Sequence, residues 1–181
     1  DLASNTSGAL NYTDSTALTV GNTVGGTTGI TSAGAVTVST LAGALTITAA
    51  GDIVAGGDVN LTGAGGISTA GDVTTSNDNV SFLSNTTLTG NVSINTGTGA
   101  GNIVFAGTVN GGSDLALAAG TGDVNFNGAV GAGARLGAIT INSANDVTSA
   151  AITAASLTQA TGTGTTTLGG TVNTNAVAGV S

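Results

Sequence analysis

Short runs of alternating apolar and small polar residues return along this chain at a nearly fixed distance. Phe82, Phe105 and Phe126, the three phenylalanines, each follow an aliphatic residue by two positions (Val80, Ile103, Val124) and recur at steps of 23 and 21. Neither a helix nor a sandwich requires rare large side chains to return at one such interval. A chain wound into stacked rungs does, because equivalent positions then lie above one another. The spacing therefore predicts an interior row of phenyl rings built from Phe82, Phe105 and Phe126 beside Val80, Ile103 and Val124. The same pair extends through Leu18/Val20, Val36/Val38 and Val59/Leu61, and onward through Val147/Ser149 and Thr166/Leu168, where one inward position is polar. First members at 18, 36, 59, 80, 103, 124, 147 and 166 give a mean repeat of about 21 residues.

Each repeat carries two further apolar points. The nearer is Val24, Leu41, Ile67, Leu88, Val109, Val130, Ile152 and Val172. The farther is Ile30, Leu45/Ile47, Val73, Val92/Ile94, Leu115/Leu117, Ile139/Ile141, Leu157 and Val177. Alternation inside the longer segments predicts strands with one buried face. Three short strands joined by bends give a triangular coil, each strand pairing in parallel with its counterpart one coil along. The expected fold is thus all-β, a parallel β-helix (β-solenoid) of about eight coils. Residues 1–16 are expected to be a lead-in or partial coil, and 17–181 a single continuous solenoid. With no initiator methionine and no capping helix, the segment is expected to be part of a longer array or a processed subunit.

The corners carry their own pattern. Gly34, Gly57, Gly101, Gly122 and Gly164 lie two residues before the first apolar position. The residue in between is Ala17, Ala35, Asp58, Asn79, Asn102, Asp123, Asp146 and Thr165 in successive repeats. Asp58, Asn79, Asn102, Asp123 and Asp146 have short side chains able to bond nearby backbone at a turn, which predicts a polar ladder along one edge. Two amides separate Asp58 from Asp123 and reduce carboxylate repulsion.

Composition removes several function classes. Proline is absent and glycine abundant, which by itself would fit disorder, but the periodicity supplies a narrow core that stacking can bury. Nine acidic residues against one basic residue, Arg135, give a net charge of −8, which disfavours nucleic acid and anionic lipid as partners. No apolar run of about 20 residues is present, so no helical membrane span is expected. Cysteine is absent, so disulfides do not staple the coils.

The segments GNVSINTGTGAGNIVFAGTVNGGSDLALAAGTG and GTGDVNFNGAVGAGARLGAITINSANDVTSAAITAASLTQATGTGTTTLGGTVNTNA resemble repeats of very large bacterial surface proteins of the filamentous-haemagglutinin-like and autotransporter-adhesin type. The resemblance covers most of the chain and is weak before residue 35. It implies a right-handed parallel β-helix, export to the bacterial cell surface, and a structural or adhesive filament whose partner is itself, end to end or along one longer chain.

Candidate chemistry is sparse. The chain supplies no His, Cys, Lys or Glu, and Arg135 stands alone, so catalysis would fall to paired aspartates, Asp52 with Asp58 or Asp72 with Asp78, acting on a polysaccharide. The same four aspartates recur at one-coil spacing and are the candidate ligands for calcium, although the repeated-aspartate signature of calcium-loaded β-rolls is missing. The competing reading is that all four cap turns and no cofactor is bound. A surface module recognising a glycan or ice is the alternative function. The outward column Thr19, Thr37, Asn60, Ser81, Val104, Asn125, Thr148 and Thr167 is too interrupted for a regular ice face. Sugar stacking would fall to Tyr12, since the phenylalanines are assigned to the core. The sequons at Asn5, Asn11, Asn60, Asn79, Asn85 and Asn91 arise readily in a chain this rich in Asn, Ser and Thr.

Overall fold

The computed structural model describes residues 1–181, and every regular element in it is a strand. The first coil runs β1 (Ser4–Thr6), β2 (Leu10–Asp14) and β3 (Leu18–Val20). The second contains β4 (Ile30–Ser32), β5 (Val36–Thr40) and β6 (Leu45–Ile47), and the third β7 (Ile53–Ala55), β8 (Val59–Gly63) and β9 (Ile67–Thr69). Then come β10 (Val73–Thr74), β11 (Val80–Phe82) and β12 (Thr86–Leu88), followed by β13 (Val92–Asn95), β14 (Ile103–Phe105) and β15 (Val109–Asn110). The later coils carry β16 (Leu115–Ala118), β17 (Val124–Phe126), β18 (Leu136–Ser143), β19 (Val147–Ser149), β20 (Ile152–Gln159), β21 (Thr166–Leu168) and β22 (Val172–Thr174).

These strands form three parallel sheets. The first face is β1-β4-β7-β10-β13-β16-β18-β20-β22, the second β2-β5-β8-β11-β14-β17-β19-β21, and the third β3-β6-β9-β12-β15. Beyond β15 the third face continues through single bridges, Val109 to Val130 and Val130 to Ile152. There the corner between third and first faces straightens. β18 and β20 consequently reach eight residues each, and β22 joins the nine-stranded sheet. The chain is a β-solenoid, with eight strands on its second face.

Inward residues make one continuous apolar cluster from Leu2 to Leu157, with Val172 packed partly against it, while β21 at the end of the stack is exposed. On the second face one inward row reads Leu10, Val36, Val59, Val80, Ile103, Val124, Val147 and Thr166. The other reads Tyr12, Val38, Leu61, Phe82, Phe105, Phe126, Ser149 and Leu168. The three phenylalanines are at most 1% exposed. Their rings stack at centroid distances of 4.9 Å (Phe82 to Phe105) and 5.3 Å (Phe105 to Phe126), close to the inter-strand spacing of about 4.8 Å. Ring stacking and backbone pairing are therefore satisfied by the same rung distance.

The register of the first coil differs from the expected one. Val36/Val38 are paired below by Leu10/Tyr12, whereas Leu18/Val20 pair with Leu45/Ile47 on the third face. Two strands of the first coil, β1 and β2, thus lie inside residues 1–16, the range expected to hold a lead-in or partial coil. The cause is an excursion over residues 21–29. It is closed by an antiparallel Val24–Thr27 bridge and carries positive φ at Gly21, Gly25, Gly26 and Gly29. It lengthens the step from Leu10 to Val36 to 26 residues, whereas later steps run from 19 to 23, so an evenly spaced count lands on the wrong strand. Val24, Leu41 and Val177, counted as inward points, are 44%, 71% and 108% exposed. The first-face row passes through Ile30 and Val73 as expected, but with Ile53 between them, because Leu45/Ile47 belong to the third face.

Candidate functional site

From β11 to β21, each strand of the second face is preceded by a residue just outside the β-ladder whose main-chain N–H points toward the preceding coil with no carbonyl to meet. The side chain one coil below supplies the acceptor. Asp58 Oδ1 accepts the Asn79 N–H (2.9 Å) and the Asn79 side-chain amide (3.0 Å). Asn79 Oδ1 accepts the Asn102 N–H (2.9 Å), and Asn102 Oδ1 the Asp123 N–H (2.8 Å). Asp123 Oδ1 takes the Asp146 N–H (3.0 Å), and Asp146 Oδ1 the Thr165 N–H (2.6 Å). The structure places Asp58, Asn79, Asn102, Asp123 and Asp146 in one longitudinal row that satisfies a corner N–H in each successive coil. Where two carboxylates become neighbours, at Asp123 and Asp146, the Asn145 amide also donates to Asp123 Oδ1 (3.2 Å) and offsets their repulsion.

A second row of the same kind runs along the entry to the first face. Asp52 Oδ1 accepts the Asp72 N–H (2.9 Å), and Asp72 Oδ1 the Ser93 N–H (2.8 Å). Asn91 Oδ1 accepts the Asp114 N–H (3.0 Å), and Asp114 Oδ1 the Ala138 N–H (2.7 Å). Sequence reasoning missed this row, yet its signal is visible. D-I-V-A at 52, D-V-T-T at 72, N-V-S-I at 91 and D-L-A-L at 114 share the frame of D-V-N-L at 58 and N-V-S-F at 79: Asp or Asn, then an aliphatic residue that opens a strand. Shorter rungs occur elsewhere, from Asn85 Oδ1 to the Thr108 N–H (3.0 Å) and from Asn110 Oδ1 to the N–H groups of Gly133 (2.7 Å) and Ala134 (3.1 Å).

This geometry gives the aspartates a use other than the chemistry considered for them. Asp52 and Asp72 belong to the first-face row and Asp58 to the second-face row, while Asp78 accepts the Thr75 hydroxyl on its main-chain oxygen (2.6 Å). Asp52 and Asp58 flank β7 at two different corners of one coil, as Asp72 and Asp78 flank β10, so neither pair converges. No group of three or more Asp, Glu, His or Cys side chains comes together. Asp14, in the first coil, accepts the Thr16 N–H (2.8 Å) and hydroxyl (2.9 Å), and these bonds hold its carboxyl below the ordinary aspartate value. The accompanying stabilisation is present above the ordinary carboxylate range and is lost as pH falls through the lowered value.

Arg135 does not meet a carboxylate. Its guanidinium donates to the main-chain oxygens of Ala154 (2.6 Å) and Asn173 (2.8 Å) and to Asn173 Oδ1 (3.1 Å), tying β20 and β22 to the coil below. The concavities are open grooves rather than enclosed clefts. The groove along the first-face row, about 390 Å³, is bordered by Asp72, Asn91, Ser93 and Asp114. A second, about 540 Å³, follows the glycine-rich corner Gly63–Gly66 and Leu83. An apolar hollow of about 70 Å³ lies between Phe126, Val147, Leu157 and Leu168, where the phenyl row gives way to Ser149.

Two substitutions follow from this geometry. Asn102→Ala removes the acceptor for the Asp123 N–H and is expected to lower stability by about 1–2 kcal/mol in denaturant unfolding. A loss below about 0.3 kcal/mol, within the range of neutral surface changes, would show that water replaces that acceptor. Ser149→Ala has the opposite sign. The Ser149 hydroxyl is buried without a hydrogen-bond partner, so its removal is expected to raise stability by about 1 kcal/mol, read as a higher unfolding midpoint at unchanged slope.

No protein family model matches this chain, and no curated protein and no solved structure matches it significantly.

Proposed function

We propose that this chain is a non-enzymatic structural segment of an extracellular rod or adhesive filament at a bacterial cell surface, with its coils stacking end to end against further coils of the same kind. The observation that carries this reading is the run of three in-register parallel sheets along a single axis. Its stabilising chemistry recurs from coil to coil: backbone pairing between rungs, apolar rows inside, and, from the third coil on, Asp and Asn rows that satisfy the corners. Such a structure lengthens by adding rungs without altering its cross-section. At about 4.8 Å per rung, eight coils span on the order of 40 Å.

The surface is suited to an elongated solute more than to a cleft enzyme. Short polar side chains cover most outward positions, and the net charge of −8 opposes lateral clumping. The phenyl rings are spent in the core and Tyr12 packs partly against it, which leaves little aromatic surface for sugar stacking. At the ends, β2 pairs only with β5 and β21 only with β19, so each presents a strand edge on which another rung can form. Negative-stain imaging and solution scattering over a concentration series test the proposal. Rods of constant cross-section that lengthen with concentration are expected. Monodisperse single segments at the highest concentration would overturn the end-to-end part.

A further inference from the structure

We infer that Asn127 is a site of spontaneous covalent modification, converting to aspartate and isoaspartate through attack by the Gly128 main-chain nitrogen, while the other Asn-Gly pair of the chain, Asn110–Gly111, is protected by the fold. The reaction needs an asparagine followed by a residue without a side chain, so that the next backbone nitrogen reaches Cγ. Of all the asparagines here, only Asn110 and Asn127 precede glycine. The Gly128 nitrogen, on losing its proton, bonds to Asn127 Cγ. The Cγ–Nδ2 bond breaks and the amide nitrogen leaves as ammonia, carrying a proton. Water then opens the five-membered ring at either carbonyl, giving aspartate or isoaspartate.

The two pairs sit in opposite environments. Asn110 is half-buried. Its Oδ1 accepts the N–H groups of Gly133 (2.7 Å) and Ala134 (3.1 Å), and its Nδ2 donates to the Thr108 hydroxyl (3.4 Å). Gly111 is buried, and its N–H donates to the Ala134 main-chain oxygen (3.3 Å), so the nucleophile is occupied as well. Asn127 has an exposed side chain with no hydrogen bond to hold it. Its main-chain N–H is fixed on the Phe105 oxygen (3.0 Å), but the N–H of Gly128 donates to no protein group. At Asn127 neither the electrophile nor the nucleophile is held by a hydrogen bond; at Asn110 both must first be released.

The isoaspartate product places an additional carbon in the main chain directly after Phe126, at the corner leaving the second face, and so strains the rung that ends the phenyl row. The 181-residue chain is incubated folded in mildly alkaline buffer beside a sample held in denaturant, and both are mapped by peptide mass spectrometry. In the folded chain, conversion at Asn127 is expected to outpace Asn110 by about tenfold or more, since Asn110 must first give up two backbone hydrogen bonds. In denaturant the two rates should converge. Equal rates in the folded chain, faster conversion at Asn110, or no conversion at Asn127 while the denatured chain reacts would each overturn the assignment.

Discussion

Phe105→Ala is expected to lower stability by about 3–5 kcal/mol, the range for deleting a fully buried phenyl ring and leaving a cavity. Phe105 is 1% exposed and lies between two rings, Phe82 at 4.9 Å and Phe126 at 5.3 Å, so its removal unstacks both neighbours. In a structure where each coil contacts mainly the next, such damage falls on the two interfaces that hold the halves of the rod together. The unfolding transition, followed by circular dichroism in urea, should therefore move to lower denaturant and broaden, as segments on either side begin to melt separately. Phe105→Leu keeps most of the apolar volume without the ring face and should lose less than about 1.5 kcal/mol. A Phe105→Ala chain within about 1 kcal/mol of the parent would mean that the phenyl row contributes little to holding the coils in register.

That row is also where sequence and structure agree most closely. From Val36 onward, the second-face positions inferred from the phenyl spacing pair in the expected register through Val59, Val80, Ile103, Val124, Val147 and Thr166. The signal is strong because phenylalanine is rare here and because an inward strand position repeats only when its coil length does. Upstream, periodicity misled for a physical reason. Leu18/Val20 carry the same apolar-x-apolar signature as a second-face strand, and only the lengthened 21–29 corner reveals that they belong to another face. Single apolar residues at bends, such as Val24 and Leu41, cannot be assigned inward or outward by counting, since a corner turns its side chain through a large angle within one residue.

The candidate site shows a different limit. The one-coil spacing of Asp52 and Asp72, and of Asp58 and Asp78, points equally to a stacked cation site and to a row of backbone acceptors. Sequence spacing records only that the carboxylates lie over one another. Which reading applies depends on where the oxygens point. In the structure, one oxygen each of Asp52, Asp58 and Asp72 is taken by an N–H from the next coil. The mixing of Asp with Asn along each row follows from the same geometry, because both side chains present the required Oδ1 acceptor and the amides lower the charge of the row. A carboxylate acting as general acid or base has no such freedom to exchange between acid and amide.

Gly111→Ala and Gly112→Ala, one residue apart, are expected to move stability in opposite directions. Gly111 leaves β15 at φ 124, a conformation that residues with a Cβ rarely adopt and that alone costs about 1–3 kcal/mol. A Cβ built there would also run into the main-chain oxygen and nitrogen of Leu88 in the coil below, which forces two rungs apart. Backbone cannot rotate out of the way as a side chain does, so the combined loss should be on the order of 3 kcal/mol or more. Gly112 has an ordinary φ, and a Cβ there meets nothing within 4 Å. Alanine at 112 restricts the unfolded chain at no cost to the folded one and should be neutral or stabilising by up to about 1 kcal/mol. Thermal unfolding of the two variants side by side separates close rung contact from a general preference for glycine at bends. If both lost stability equally, the corner would be selecting glycine for chain flexibility, and the tight approach of Gly111 to Leu88 would have no energetic weight.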